Sequence, residues 1–232
     1  MSERNDDQSV AITTLSYDDL RNFKMEQTTN TKEPTHADST PVNVDNAIST
    51  IGQAFGDSPT SLGIIAITNV PPHYSALRSK LLKLSHQFAT QTSKEMRISL
   101  TREDTFYSVG WSHGKEKLEG DKLDMGKGSF YANPLTDSPI ESILKRDFDE
   151  EEEEEELKKR RNEFLTMAEQ NPAFYAPNVW PSEELPEMEY TMKEMGKLIQ
   201  GIGIMVATLC DAYVSKKASL ASSILERIVL HN

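Results

Sequence analysis

The sequence predicts a mixed α/β domain, and three observations support that prediction. Two β-rich segments alternate with amphipathic helical patterns in the first half of the chain, and a pair of short aromatic strand signals follows them. A long amphipathic pattern towards the carboxyl terminus is expected to form a helix that backs a sheet. Strand, helix, strand, helix and then paired strands is the order typical of a mixed α/β fold.

The chain opens with a predicted strand and a predicted helix. Residues 10–15 are rich in β-branched side chains and indicate a short strand, and Ser16 with Asp19 has the form of a capping box that begins a helix. The polar segment 28–43 contains two prolines and too few apolar residues to order itself. We expect a long mobile loop there.

An amphipathic helix and a buried strand are predicted next. The helix is capped near its start by Asp45, ends at Gly56 and has the apolar stripe Val44, Ile48, Ile51 and Phe55. Residues 62–70 are nearly all apolar, which is expected of a strand buried on both faces, and Pro71 ends that strand.

A second amphipathic helix is expected, with the apolar stripe Leu77, Leu81, Leu84 and Phe88. Residues 93–100 predict one more short helix. The pattern then changes, because Tyr107, Val109 and Trp111 alternate with small residues, as on a strand with one buried face. Residues 129–132 give a second strand signal. The sequence therefore predicts two strands joined by a long polar connection.

The net charge of −12 is concentrated in one segment. Residues 149–156 contribute eight negative charges, so the rest of the chain carries −4. Within the insert-like segment 147–170, glutamates precede basic residues by four positions, an order that stabilises an exposed helix by about 0.2 to 0.5 kcal/mol per pair. We interpret the segment as a solvated helix, and contact with a basic protein partner is the alternative. Nucleic acid is not expected as a partner.

Residues 187–214 predict the longest regular element, a helix of roughly 40 Å at about 1.5 Å per residue. Its apolar stripe recurs every three or four residues and consists of Met188, Met192, Met195, Ile199, Ile202, Val206, Leu209 and Tyr213. Gly196, Gly201 and Gly203 weaken this helix locally and are expected to let another backbone approach closely. The methionines are interpreted as core packing rather than as a metal site.

The composition also predicts a compartment. The single cysteine, Cys210, excludes an internal disulfide and lies in an apolar pattern that predicts a buried thiol. The amino terminus is too charged for a signal peptide, and no apolar run is expected to approach the roughly 18 residues of a membrane span. We therefore expect a cytoplasmic protein without a membrane partner.

Three motifs carry a resemblance to a known family. They are GWSHGKEKLEG at residues 110–120, KGSFYANP at 127–134 and PNVWP at 177–181. In this order they resemble the N-terminal region of the isopenicillin N synthase-like family, and the similarity extends from about residue 10 to residue 214 apart from two insert-like segments. The order of the motifs is more specific than any one of them.

The resemblance implies a non-haem Fe(II) oxygenase, in most members dependent on 2-oxoglutarate, that acts on a small organic substrate. It implies the N-terminal helical and short-strand region of a double-stranded β-helix fold, with the β-helix itself largely missing. In the family these strands lie beside the mouth of the barrel, so five side chains become candidates for substrate contact: Tyr107, Trp111, His113, Lys115 and Tyr131. The competing interpretation makes Trp111 and Tyr131 core aromatics and places His113 and Lys115 in a turn.

On this interpretation the chain has five parts, which differ in composition and in their similarity to the family. They are a tail (1–9), a dioxygenase N-terminal-like region containing the mobile loop (10–146), the charged insert (147–170), a continuation with the long helix (171–218) and the truncated start of a next element (219–232).

The iron site of the family consists of a His-x-Asp pair and a distant His. One such pair occurs here, His36 and Asp38, with His86 further on, and Arg97 with Ser99 resembles the Arg-x-Ser that binds the co-substrate in the family. His36 lies in the loop-like segment, whereas His86 and Arg97 lie on helical patterns, so we do not expect an iron site there. No cofactor is expected in this chain, and Fe(II) and 2-oxoglutarate are implied for a longer form.

Two hypotheses about function follow. The first is the N-terminal part of an iron oxygenase that is itself inactive because the metal triad is missing. The second is a non-catalytic interaction or regulatory module that keeps the N-terminal fold and binds a protein through residues 149–156 or through the exposed face of the long helix.

Overall fold

The structure, a computed structural model, describes residues 11–29, 44–148 and 155–218. Helices hold 59% of these residues and strands 10%, so the prediction of a mixed α/β protein is confirmed and helix predominates. The elements of the described part are, in chain order, β1 (Thr13–Ser16), α1 (Tyr17–Thr29), α2 (Val44–Phe55), β2 (Ile65–Thr68), α3 (His73–Gln91), α4 (Lys94–Ser99), a 3-10 helix (Glu103–Thr105), β3 (Gly110–His113), β4 (Gly128–Tyr131), α5 (Pro139–Asp147), α6 (Glu155–Gln170), α7 (Pro172–Tyr175) and α8 (Glu187–Ala218).

The chain divides into two compact units. The first unit consists of Met1–Tyr74 and Leu198–Asn232, and the second of Ser75–Lys197. Helix α8 contributes its amino-terminal part to the second unit and its carboxyl-terminal part to the first.

In the first unit β1 pairs with β2 in parallel, with Thr13 opposite Ile65. Parallel strands need a crossover connection, and α1 and α2 lie in it. The strand predicted at residues 10–15 is confirmed from Thr13 onwards, while residue 10 lies outside the described residues. The predicted cap is also confirmed, because the Ser16 hydroxyl accepts a hydrogen bond from the Asp18 backbone N–H at 3.2 Å.

The core of the first unit is mainly aliphatic and consists of Leu15, Leu20, Phe23, Ala47, Ile51, Met205 and Leu209. The prediction that β2 is buried on both faces is wrong: its apolar residues are only half-buried, and Ile64 beside it is 52% exposed. Among the described residues β2 has β1 as its single partner strand; Ile65 and Ile67 pack against the core of the unit, whereas Thr68 is exposed.

The predicted loop at residues 28–43 lies largely outside the described residues, and its first two positions belong to the end of α1. The predicted solvated helix in the insert is confirmed for α6, which is mostly exposed. An ion pair in this helix joins Lys158 to Glu155 at 3.7 Å, a spacing of three residues instead of the four that we expected. Phe164 attaches this helix to the unit, since its ring lies 5.9 Å from Phe148 and 5.7 Å from Tyr175.

In the second unit the stripe predicted for α3 is confirmed, since Leu84 and Phe88 are buried. Helix α4 is capped by the Ser93 hydroxyl, which accepts a hydrogen bond from the Met96 N–H at 3.0 Å. The two predicted strands pair antiparallel as β3 and β4. The expected start of the first strand at Tyr107 is wrong, because Tyr107 has φ 60° and lies in a turn.

Helix α8 confirms most of the predicted stripe. Met188, Met195 and Leu209 are buried, as core methionines and a core leucine should be, whereas Ile199 is 56% exposed. The expected close approach occurs at Gly196, where a Cβ would lie 2.1 Å from the Cβ of Pro134. It does not occur at the other two glycines of the helix, which have nothing within 4 Å of such an atom.

One prediction about membranes needs correction. Residues Glu187–Lys217 are long and apolar enough to cross a membrane, judged by length and composition only, and 22% of the relevant window is buried. Core helices of soluble proteins pass the same test, so this finding by itself assigns no membrane location.

Candidate functional site

The first two sequence motifs form one antiparallel strand pair in the second unit. Residues 110–120 supply β3 and residues 127–134 supply β4. Trp111 lies opposite Phe130 in the register, and the two rings belong to the same hydrophobic cluster around Phe88. The two strands predicted from the sequence therefore form one small sheet.

The third motif is bound to the end of β4. The Asn178 side chain accepts a hydrogen bond from the Asn133 backbone N–H at 2.8 Å and donates one to the Asn133 carbonyl at 2.8 Å. The Trp180 ring lies 6.0 Å from the ring of Phe130. All three motifs thus meet in a single region of the second unit.

Asp137 holds this region together. Its carboxylate accepts hydrogen bonds from Trp180 Nε1 at 2.7 Å, from Asn178 Nδ2 at 3.0 Å and from Lys193 Nζ on α8. Burial raises the pKa of Asp137, but the hydrogen bonds from Lys193, Asn178 and Trp180 and the charge of Lys193 outweigh burial, so the net pKa is lowered. The ionised carboxylate is the form that the region requires.

Glycine allows Trp111 to lie across β4. A Cβ on Gly128 would meet Trp111 Cη2 at 2.1 Å, so any larger residue would displace the indole. Phe88 on α3 makes edge contacts with both neighbouring rings, at centroid distances of 5.1 Å to Trp111 and 5.2 Å to Phe130. These contacts fix the aromatic wall of a cavity.

The cavity has a volume of about 500 Å³ and lies entirely within the second unit. Its apolar wall consists of aromatic, methionine and aliphatic side chains: Leu81, Phe88, Ala89, Trp111, Phe130, Met188 and Met192. Ser85, Arg97 and His113 supply the polar side chains. A concave site that combines aromatic and aliphatic side chains with a few polar groups is typical of a small-molecule pocket, for which volumes of about 300 to 1,000 Å³ are usual.

Two of the five candidate residues line this cavity. Trp111 is half-buried in the wall, and the His113 ring stacks beside it at a centroid distance of 5.8 Å. His113 Nε2 lies 3.0 Å from the Met125 carbonyl oxygen. Because a carbonyl can only accept, Nε2 carries the hydrogen, and Nδ1 is left to interact with a ligand.

The other three candidates lie elsewhere. Lys115 Nζ sits 4.9 Å from the centre of the Tyr107 ring and 3.1 Å from a carboxylate oxygen of Glu103, so these residues form a separate exposed cluster. Tyr131 is 42% exposed, which contradicts its interpretation as a core aromatic. The predicted turn is confirmed only from Gly114 onwards, which has φ 64°, because His113 is the last residue of β3.

Sequence reasoning missed Arg97, Phe130 and the two methionines of α8 as cavity residues. Phe130 carried a usable signal, since it alternates with Tyr131 and lies within the second motif. The methionines were assigned correctly to packing, and only tertiary structure shows that Met192 also faces the cavity. Arg97 lies on a short helix, where a charged residue normally predicts exposure.

A second depression runs along α6 and has a volume of about 580 Å³. All of its lining residues belong to that single helix, between Glu155 and Gln170. A groove formed by one face of one exposed helix lacks the convergent walls of a binding site.

The described residues do not fit an iron site. They contain no group of three or more His, Cys, Asp and Glu side chains that could hold a metal ion. His36 and Asp38 lie outside the described residues, and His86 is an exposed residue of α3. Arg97 Nη1 donates to the Thr92 carbonyl at 2.7 Å, whereas the Ser99 hydroxyl donates to another backbone carbonyl. We therefore derive no reaction step through iron.

Cys210 is half-buried at the edge of the first unit's core, so the prediction of a buried thiol holds only in part. Burial and then the charge of Asp211 raise the pKa of the thiol. A raised pKa lowers the thiolate fraction, which makes this position poorly suited to nucleophilic chemistry.

Comparisons with protein-family models, with curated proteins and with solved structures found no match to this chain.

Proposed function

We propose that this chain is the N-terminal part of a non-haem Fe(II)/2-oxoglutarate-dependent oxygenase-like protein and that its cavity contacts a small organic substrate. The observation that supports the proposal is that the first two motifs line one cavity and that the third is hydrogen-bonded through Asn178 to the end of β4. If each motif only stabilised its own loop, motifs that are far apart in sequence would not be expected to lie in the same region. The link to a double-stranded β-helix is part of the same proposal and rests on the resemblance.

The chemistry of the cavity fits substrate contact better than catalysis. Its aromatic and methionine side chains can contact the apolar part of a ligand, and His113 and Arg97 can orient polar groups of that ligand. No carboxylate lines it among the described residues, and its single histidine has no second ligand for a metal beside it. We therefore propose that this chain binds a substrate without converting it.

A binding screen tests the proposed cavity. Ligand-detected NMR with small organic compounds should find ligands for the whole chain, and Ala89→Trp should abolish their binding, because Ala89 is an exposed residue whose enlargement fills the cavity. Tyr131→Ala is the matched control, since Tyr131 lies on β4 but not in the cavity. Ligands that bind the Ala89→Trp protein unchanged would exclude this cavity as their site.

Two measurements test the family assignment. Sequencing of the full-length transcript should show a form that continues into β-strands carrying His-x-Asp and a later His. The purified 232-residue protein should form no succinate from 2-oxoglutarate with Fe(II) present. Succinate formation by this chain would disprove the claim that it is inactive alone.

The alternative, a non-catalytic interaction module, is favoured by the apolar residues that α8 leaves exposed. Tyr190 is 63% and Ile199 56% exposed, although both lie on a helix that otherwise supplies core residues. A saturable protein partner that is lost on deletion of residues 149–156 would support this alternative. A pull-down without such a partner would argue against it.

A further inference from the structure

We propose that the cavity of the second unit selects an aromatic carboxylic acid, with Arg97 as the residue that binds the carboxylate. This inference rests on the proposed function, because it names the class of ligand for the same cavity. It follows from three features of the wall: the charge of the lining residues, the state of the guanidinium and the shape of the aromatic surface.

The charge of the cavity is opposite to that of the protein. The whole chain carries −12, yet the described residues that line the cavity include Arg97 and no Asp or Glu. Arg97 is half-buried, and a positive group that is partly shielded from water attracts an anion more strongly than one in bulk water, because the local dielectric constant is lower. The lining therefore favours an anionic ligand over a neutral or cationic one.

Hydrogen bonds hold the guanidinium of Arg97 in place, but only Nη1 among its nitrogens donates to an acceptor in the described part of the chain. Its Nη1 donates to the Thr92 carbonyl at 2.7 Å and to the Ala89 carbonyl at 3.2 Å, which fixes the plane of the group. Nη2 and Nε have no hydrogen-bond acceptor among the described residues. Glu184 is the acidic residue whose pKa responds to Arg97, and its carboxylate already accepts two hydrogen bonds from Ser93.

A fixed guanidinium with two adjacent free N–H groups matches the two oxygens of a carboxylate. Such bidentate pairs are shorter and stronger than neutral hydrogen bonds, and they are selective for planar anions. A lysine would supply the same positive charge but could not form two parallel hydrogen bonds to a carboxylate. The arrangement thus points to a carboxylate in particular.

The rest of the wall favours a flat, aromatic body. The rings of Phe88, Trp111 and Phe130 line the cavity together with Met188 and Met192, and all five side chains belong to one packed cluster. Aromatic rings gain from edge and offset contacts with other rings, and methionine sulfur adds favourable contacts with ring edges. One bicyclic aromatic ring system fits comfortably in about 500 Å³.

Titration of the whole chain with four probes tests the inference. We expect 2-naphthoate to bind at least about tenfold more tightly than 2-naphthamide, the neutral analogue of the same shape, because only the acid forms the charged pair. The cation 2-naphthylmethylammonium should bind more weakly than the amide. The dianion 2-oxoglutarate should bind more weakly than 2-naphthoate, since it lacks a ring.

In the Arg97→Gln variant the acid and the amide should bind about equally tightly, and binding of the amide should persist. Arg97→Lys should retain part of the preference for the acid. If Arg97→Gln does not fold, the affinities of the natural chain for the acid and the amide still test the inference. Equal binding of acid and amide would overturn the inference and leave the proposed small-molecule function intact. Absence of binding by all the naphthyl probes and by the screening compounds would overturn both.

Discussion

The two units of this protein are packed differently. In the first unit Leu20, Ile51 and Leu209 are almost completely buried, with exposures of 0%, 1% and 0%. In the second unit the cluster around Phe88 is completed by half-buried aromatic rings, including Trp111, and it borders a cavity of about 500 Å³. The comparison predicts that substitutions which remove volume from the core of the first unit mainly lower stability. Substitutions that change the aromatic wall of the second unit should mainly alter binding.

Leu209→Ala should give the largest effect on stability. The substitution removes a fully buried side chain from the dense core, and we expect a loss of about 2 to 5 kcal/mol in the free energy of unfolding. Ile199→Ala is the matched control, because Ile199 lies on the same helix and is 56% exposed; its loss should stay within about 0.5 kcal/mol. Urea denaturation followed by circular dichroism measures both.

Equal losses for these two variants would show that α8 does not use the face described here. A small loss for Leu209→Ala would show that the first unit can close the void, and the contrast between a dense and an open unit would then disappear.

A pair of glycine substitutions tests packing in the second unit against open space in the first. Gly196→Ala places a Cβ 2.1 Å from the Cβ of Pro134, and overpacking of this kind costs about 1 to 3 kcal/mol. Gly201→Ala meets nothing within 4 Å and should instead stabilise α8 by about 0.5 to 1 kcal/mol through helix propensity. Thermal unfolding of both variants beside the natural chain decides the sign. A gain for Gly196→Ala would mean that Pro134 moves freely away from the helix.

Much of the fold could be predicted because it depends on local sequence. The stripe that buries Leu84 and Phe88 and the Ser16 cap of α1 follow from spacing within a few residues. The burial of β2 could not be predicted in this way. An apolar run shows that a strand can be buried, but the helices or sheets that pack on its two faces decide whether both are covered, and these depend on tertiary structure.

The cavity illustrates the same limit for function. Which side chains of β3 face inwards depends on where that strand starts, and the left-handed turn at Phe106 and Tyr107 moves the start three residues beyond the predicted Tyr107. Tyr107 therefore lies outside the site, while Trp111 and His113 stay in it. Lys115 lies outside it because β3 ends at His113. Arg97 joins it from a different helix, and no periodicity could show that.

The smallest predicted effect concerns charge. Asp137 has its pKa lowered from the ordinary value of 3.8, since the hydrogen bonds from Lys193, Asn178 and Trp180 outweigh the effect of burial. A carboxyl with a lowered pKa in the folded state stabilises the protein above its unfolded pKa, and this contribution is lost as the pH falls through the folded value. We therefore expect Asp137 to stabilise the second unit above about pH 4 and to lose that contribution below it.

Asp137→Asn removes this pH-dependent contribution, so the difference in stability between the natural chain and the variant should shrink as the pH falls below about 4. The side chain of Asp137 is 44% exposed, and solvent screening should keep the difference at neutral pH below about 1 kcal/mol. Asp45→Asn in the first unit is the control. Asp45 pairs with Lys216 at 2.6 Å but is 82% exposed, so its removal should change less. An equal effect at both positions would mean that the network joining the three motifs stabilises no more than a surface ion pair, and electrostatics would then no longer distinguish the two units.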